Sequence, residues 1–72
     1  MSRQQTVAVW ANFVITKLKK KHNLSHSAFL RVMREYGLIP FLVSNYELLH
    51  YYDIDYVADD TARYISEQGG VI

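Results

Sequence analysis

Two histidines four residues apart, His22 and His26, are the first residues in the chain whose spacing suggests chemistry. On a single helix such a pair turns both imidazoles toward a shared metal ion. Here Ser25 stands between them as a candidate helix cap, and no third ligand lies nearby, so both read as surface residues. His50 precedes Asp53 and Asp55, a combination that invites acid–base work. With no cysteine, no glycine-rich phosphate loop and no nucleophile beside it, His50 reads instead as a packing residue at a helix end. Asp59 and Asp60 are adjacent, and neighbours on a helix point about 100° apart, which spoils a catalytic dyad. The sequence therefore predicts no enzyme, no metal and no cofactor.

Binding is the more promising chemistry. The chain carries six tyrosines, and Tyr51, Tyr52 and Tyr56 cluster where two helices should meet, beside acids. An apolar body with a polar tip suits tyrosine to a protein interface, so these three are the candidate anchors for a partner. Tyr46 and Tyr64 read as the rim of the core. Lys17, Lys19, Lys20 and Lys21 form a basic run that would speed encounter with an acidic surface. A third surface is the outward face of the second helix, where Ser27, Arg31 and Arg34, with His26, could meet phosphates in a DNA groove.

Charge is divided along the chain although the net is only +1. Residues 1 to 34 hold seven of the eight basic residues and no acid; residues 35 to 72 hold all seven acids against Arg63 alone. Such asymmetry marks either an interaction surface or a basic half packed on an acidic one.

The elements that must position these groups are helical. Val7 to Leu18 is the most hydrophobic stretch, with Val7, Trp10, Ala11, Val14 and Leu18 on one face and Val9, Phe13 and Ile15 on its flanks. This first helix should start between Ser2 and Thr6 and run to about Lys21, its closing lysines matching the negative end of the helix dipole. Being apolar over most of its circumference, it should lie at the centre of a bundle or against a partner. Ser25 caps the second helix, with Leu24 and Phe29 placed as a hydrophobic staple. That helix turns Phe29, Val32, Met33 and Tyr36 inward, and Gly37 ends it in the left-handed conformation, leaving Leu38 to touch Met33. Pro40 should open the third helix, with Leu42, Tyr46 and Leu49 as its stripe, widened by Phe41 and Leu48, and should fade around His50 to Tyr52. The fourth lies within Asp53 to Gln68, capped by Asp53, Asp55 or Asp59, with an Asp59–Arg63 pair and a Gly69-Gly70 close. The prediction is one all-α domain over 1–72, a compact bundle of about four helices under which the N-terminal helix is central.

Seventy-two residues sit near the size where a lone core becomes marginal, and no cysteine or zinc cluster reinforces it. Half the residues are hydrophobic, so a homo-oligomer or a stable protein partner is expected. No stretch approaches the roughly 20 apolar residues that span a bilayer. The run after Arg3 is interrupted by Asn12, is followed by lysines and lacks a small-residue cleavage site, so it does not read as a secretory signal. A cytoplasmic protein is expected.

With the elements placed, the chain resembles a family of small bacterial domains of unknown function. The resemblance covers nearly the whole sequence. It rests on the aromatic-rich first helix, the lysine-rich turn into Asn23-Leu24-Ser25, Phe29, Tyr36-Gly37, Ile39 and Phe41-Leu42. Further along it rests on Tyr46, Leu49-His50, Tyr56-Val57, Asp60 and Tyr64-Ile65. Thr61 departs from the aliphatic residue expected after Asp60, and the Tyr51-Tyr52 junction lacks an expected glycine; both bear on where the last helix begins. Genes of this family often neighbour those of proteins similar to ADP-ribosyltransferases. The resemblance thus implies an antitoxin-like module that binds and neutralises such a toxin. The alternatives are a helix-turn-helix-like DNA-binding regulator, autoregulatory or not, and a self-associating structural domain.

Overall fold

Caps placed by single residues set the ends of most helices in the computed structural model, which describes residues 2–72. In α1 (Arg3–Lys21), Ser2 Oγ accepts from the Gln5 amide while the Gln5 side chain accepts from the Ser2 amide, a reciprocal capping box. Its far end closes on Asn23, at φ +50° the one non-glycine in the left-handed region among the described residues. The Leu24 amide reaches back to the Lys19 carbonyl and the Asn23 amide to that of Lys20, the Schellman pattern. Ser25 caps α2 (His26–Glu35) through the Ala28 amide at 3.1 Å. Gly37, at φ +55°, ends α2 as predicted.

Pro40 does not open the next helix. α3 (Leu38–Ser44) begins two residues earlier, directly on Gly37, so Pro40 is its third residue. The first turn tolerates it because the four leading amides of any helix lack an intrahelical acceptor. Nor does the third helix run through to His50. Asn45 breaks it: its backbone leaves helical geometry (φ −106°, ψ 11°) and its side-chain amide donates to the Phe41 carbonyl at 2.7 Å. A local side-chain bond of this kind offers the backbone an alternative to the helical ladder. The remainder is α4 (Tyr46–Leu49), a single turn, before α5 (Ile54–Glu67). Asp53 holds the N-cap position of α5 without a side-chain bond, and neither Asp55 nor Asp59 caps it. The Tyr51-Tyr52 junction turns with no positive φ, so it needs no glycine.

All five helices of the described residues enter one bundle, with no strand, of 33 × 20 × 19 Å. α1 is the central strut, and it packs chiefly on α5 and then on α3. One core cluster joins Leu18, Val32, Leu38, Ala58, Ala62 and Ile65; the other joins Ala11, Val14, Ile15, Leu42 and Val57. Ile15, placed on a flank by the sequence, is buried, whereas Val9 and Phe13 face outward. In α2 only Val32 is fully buried; Phe29, Met33 and Tyr36 pack at the margin. Leu48, expected to widen the apolar stripe, is 70% exposed because α4 begins a new turn direction after Asn45. Thr61 is fully buried and its hydroxyl donates to the Val57 carbonyl at 2.8 Å, which is how a polar residue replaces an aliphatic one there. The tail is anchored where Gly70 slides beneath Tyr36, and Ile72 packs against the first cluster.

Candidate protein-binding surfaces

The lysines of α1 were the expected encounter surface, and the fold divides them. Lys21 Nζ bonds an Asp59 carboxylate oxygen at 2.7 Å and lies 3.8 Å from Asp55; Lys17 is 3.6 Å from Asp55. Lys19 sits over the Phe29 ring at 5.1 Å, and Lys20 is left to solvent. Much of the charge asymmetry is therefore matched internally, α1 against α5. The hydrogen bond to Lys21 holds the Asp59 carboxyl below its usual range, and the same bond raises the Lys21 ammonium. Arg63 pairs with Asp60 at 2.9 Å rather than with Asp59, since Asp59 already faces α1. The two adjacent aspartates thus point at different partners.

The three anchor tyrosines are all exposed, and they separate into two groups. Tyr52 and Tyr56 stack on each other with centroids 4.9 Å apart. Tyr51, 80% exposed, ends a different chain of rings: Trp10 meets Tyr46 edge-on at 5.2 Å, Tyr46 stacks on His50 at 4.3 Å, and His50 meets Tyr51 at 4.1 Å. His50 is fixed in that chain because its Nδ1–H donates to the Tyr46 carbonyl at 2.7 Å, a packing role at a helix end. Arg3 stands over the Tyr46 ring, 5.6 Å from its centroid, and pairs with Glu47.

Tyr46 leads to a surface that the sequence reading missed. Between α1 and α3 runs an open groove of about 550 Å³, with Arg3 and Tyr46 at one end. Val7, Ala11 and Ile15 form its floor, Ala8 and Asn12 its α1 wall, and Ile39 and Val43 its α3 wall. Ile39 and Val43 are 41% and 49% exposed, apolar side chains that the fold leaves uncovered. One signal for it was present: α3 reads LIPFLVS, with no charge and with Ile39 and Val43 repeating the stripe of Leu38 and Leu42 one residue on. A seven-residue helix apolar on both sides can bury only one of them in a small bundle.

On α2, Ser27, Arg31 and Arg34 are exposed as expected, and neither arginine forms an ion pair among the described residues. Ser27 Oγ lies 3.4 Å from the capping Ser25 Oγ. His26 is exposed while His22 is half-buried, and no cluster of three potential metal ligands forms among the described residues. No helix of the described residues is long and apolar enough to cross a membrane.

An all-helical bundle with an uncovered apolar groove and exposed tyrosines is the class that fold and surface define. The chain belongs to the family described as "Protein of unknown function (DUF3791)", whose model matches residues 10–68. That span takes in every element from the middle of α1 to the end of α5. Neither a curated protein nor a solved structure matches the chain.

Proposed function

We propose that this protein is a protein-binding module, the antitoxin-like partner of an ADP-ribosyltransferase-like enzyme encoded nearby, which it neutralises by occupying the enzyme's surface. The observation that carries the binding part is the uncovered apolar surface of the α1–α3 groove. Apolar surface of this kind on so small a domain is most simply explained by a protein that covers it. The identity of the enzyme rests on the family resemblance alone. Tyr51, Tyr52 and Tyr56 serve as aromatic anchors at the periphery. Of the lysines, Lys20 is best placed to steer encounter, since Lys17 and Lys21 are held by α5. The test is co-expression with the adjacent gene product, followed by co-purification and a growth assay. A neighbour that arrests growth alone, is silenced by this chain and co-purifies with it supports the proposal; a harmless neighbour, or one that never co-purifies, overturns it.

A second reading, a DNA-binding regulator that represses its own promoter, draws on one specific observation. Arg31 and Arg34 form no ion pair among the described residues on the exposed face of α2, while Lys17 and Lys21 of α1 are paired with α5. Replacing both with Ala should abolish promoter binding, and affinity should fall steeply between two salt concentrations, as phosphate contacts require. No binding near physiological salt removes this role and leaves the first reading intact.

A further inference from the structure

We infer that the α1–α3 groove is the seat of an acidic-flanked amphipathic helix supplied by the protein partner. This deepens the protein-binding reading above and rests on it.

The shape argues for a helix. Two helices lying side by side leave between them the furrow in which a third can nest, apolar residues inward at i, i+3, i+4 and i+7. From Arg3 to Ile15 the α1 side of the groove runs about 18 Å at the usual rise, enough for about three turns of a partner helix. Ala8 and Ala11, one turn apart, are the smallest side chains of this stretch of α1, and they let a neighbouring backbone approach toward the short end of the usual interaxial range. The α3 wall offers Ile39 and Val43 as projecting apolar contacts against which such a helix can lean.

Charge argues for the chemistry of the helix's flanks. Both walls are free of carboxylates: α1 (RQQTVAVWANFVITKLKKK) contains no acid and α3 (LIPFLVS) contains no charge at all. Arg3 stands at one end of the groove. Beyond the other end, outside the groove lining, Lys19 lies one turn after Ile15 on the same side of α1, over the Phe29 ring and without a carboxylate partner among the described residues. Arg3 is tied to Glu47, but both side chains are about two-thirds exposed, so an incoming carboxylate can exchange for Glu47 at little cost. A partner helix with Asp or Glu bordering its apolar stripe meets Lys19 at one end, can take Arg3 from Glu47 at the other, and finds no like charge along the walls. A lysine-flanked helix meets repulsion from Lys19 and only the neutral Arg3–Glu47 pair at the other end. The α5 side of α1, by contrast, already holds its acids in Asp55 and Asp59.

The experiment titrates the full chain with three synthetic peptides of equal length, followed by calorimetry and by heteronuclear NMR. The first is an amphipathic helix with a leucine stripe and glutamate flanks; the second carries lysine flanks; the third is the first with its stripe scrambled. The glutamate peptide should bind at least tenfold tighter than either of the others, and the advantage over the lysine peptide should shrink as salt is raised. Ala8→Glu and Val43→Glu, both at exposed positions, should each weaken it tenfold or more while leaving the melting temperature of the free chain unchanged. Equal binding of all three peptides, or unchanged affinity in both variants, overturns the inference. A dimer of the free chain that Val43→Glu dissociates and the peptide fails to disrupt overturns it too, by assigning the groove to a second copy. Co-purification of the neighbouring enzyme that survives Ala8→Glu and Val43→Glu would sink this site while sparing the proposed function. Peptide binding without any enzyme complex would do the reverse.

Discussion

α1 has two working sides, and they differ in how completely the chain finishes them. Against α5 the contact is closed: Val14, Leu18, Val57, Ala58 and Ile65 are fully buried, and Lys17 and Lys21 lace its edge to Asp55 and Asp59. Against α3 the contact is partial: Leu38 and Leu42 are buried at its base among Leu18, Ala11, Val14 and Ile15 of α1, and the upper slope remains an open apolar furrow. Both sides bury core, since Leu38 and Leu42 of α3 are fully covered, but only the second has apolar surface to spare, which is the division expected where a small domain keeps one face for another molecule.

Substitutions can break this contrast at the closed side. Leu18→Ala removes a fully buried side chain from the first core cluster and should cost about 2–5 kcal/mol. On a domain whose total stability is about 5–15 kcal/mol, chemical denaturation should show a strongly populated unfolded state. Phe29→Ala should cost less than Leu18→Ala, since Phe29 is only half-buried and its ring is partly covered by Lys19.

Glycine substitutions come next. At Gly70 a Cβ would lie 2.5 Å from Ile65 Cγ2 and 2.6 Å from the Tyr36 hydroxyl oxygen, so Gly70→Ala must move the tail off α2. At Gly37 a Cβ meets nothing within 4 Å, and Gly37→Ala carries only the left-handed backbone strain, about 1–2 kcal/mol. Gly70→Ala should therefore release Ile72 from the core, visible as a change in its methyl resonance, while Gly37→Ala lowers the melting temperature without moving it.

A smaller effect should follow pH. Asp59 titrates lower in the folded chain than in the unfolded one because of its bond to Lys21, so its stabilisation is present above the unfolded carboxyl value, near 3.9, and is lost as pH falls through the folded value. Lys21 is raised, so its contribution is present below the ordinary lysine range and is lost as pH climbs through the folded value. Melting curves of Asp59→Asn should lie below those of the parent at neutral pH and merge with them in acid. Added salt should narrow the gap. At the open side, Ala8→Glu should change the melting temperature least of all.

What could be read from the sequence was mostly what single residues decide locally. Ser25 and Gly37 mark their helix ends through bonds and dihedrals within a few residues, and the fold keeps them. The all-α class followed from periodicity alone. Asn45 was harder, since the same asparagine would sit unremarked on a helix surface if its side chain faced solvent. The Lys21–Asp59 bond spans 38 positions, and no local pattern could prefer it over Asp59–Arg63 at i, i+4. The apolar girth of α1 left its orientation open, so Ile15 and Phe13 were indistinguishable until α3 and α5 were packed around it. The groove was hidden for the same reason: it is a relation between two helices, with only the uncharged sequence of α3 to hint at it. Among the tyrosines, exposure was foreseen and grouping was not, because the tilted contact of Tyr51 with His50 depends on the break at Asn45.

The central claim is that the open side of α1 is where a protein partner binds. The most direct measurement is methyl NMR of Ile39 and Val43 in the chain alone and in complex with the partner proposed above, with a soluble paramagnetic agent reporting solvent access. Large shifts and loss of paramagnetic broadening at both residues, against unchanged signals from Val57 and Ile65 on the closed side, are the predicted result. Unmoved, still-broadened Ile39 and Val43 methyls in a complex whose Tyr52 and Tyr56 ring signals shift would contradict it.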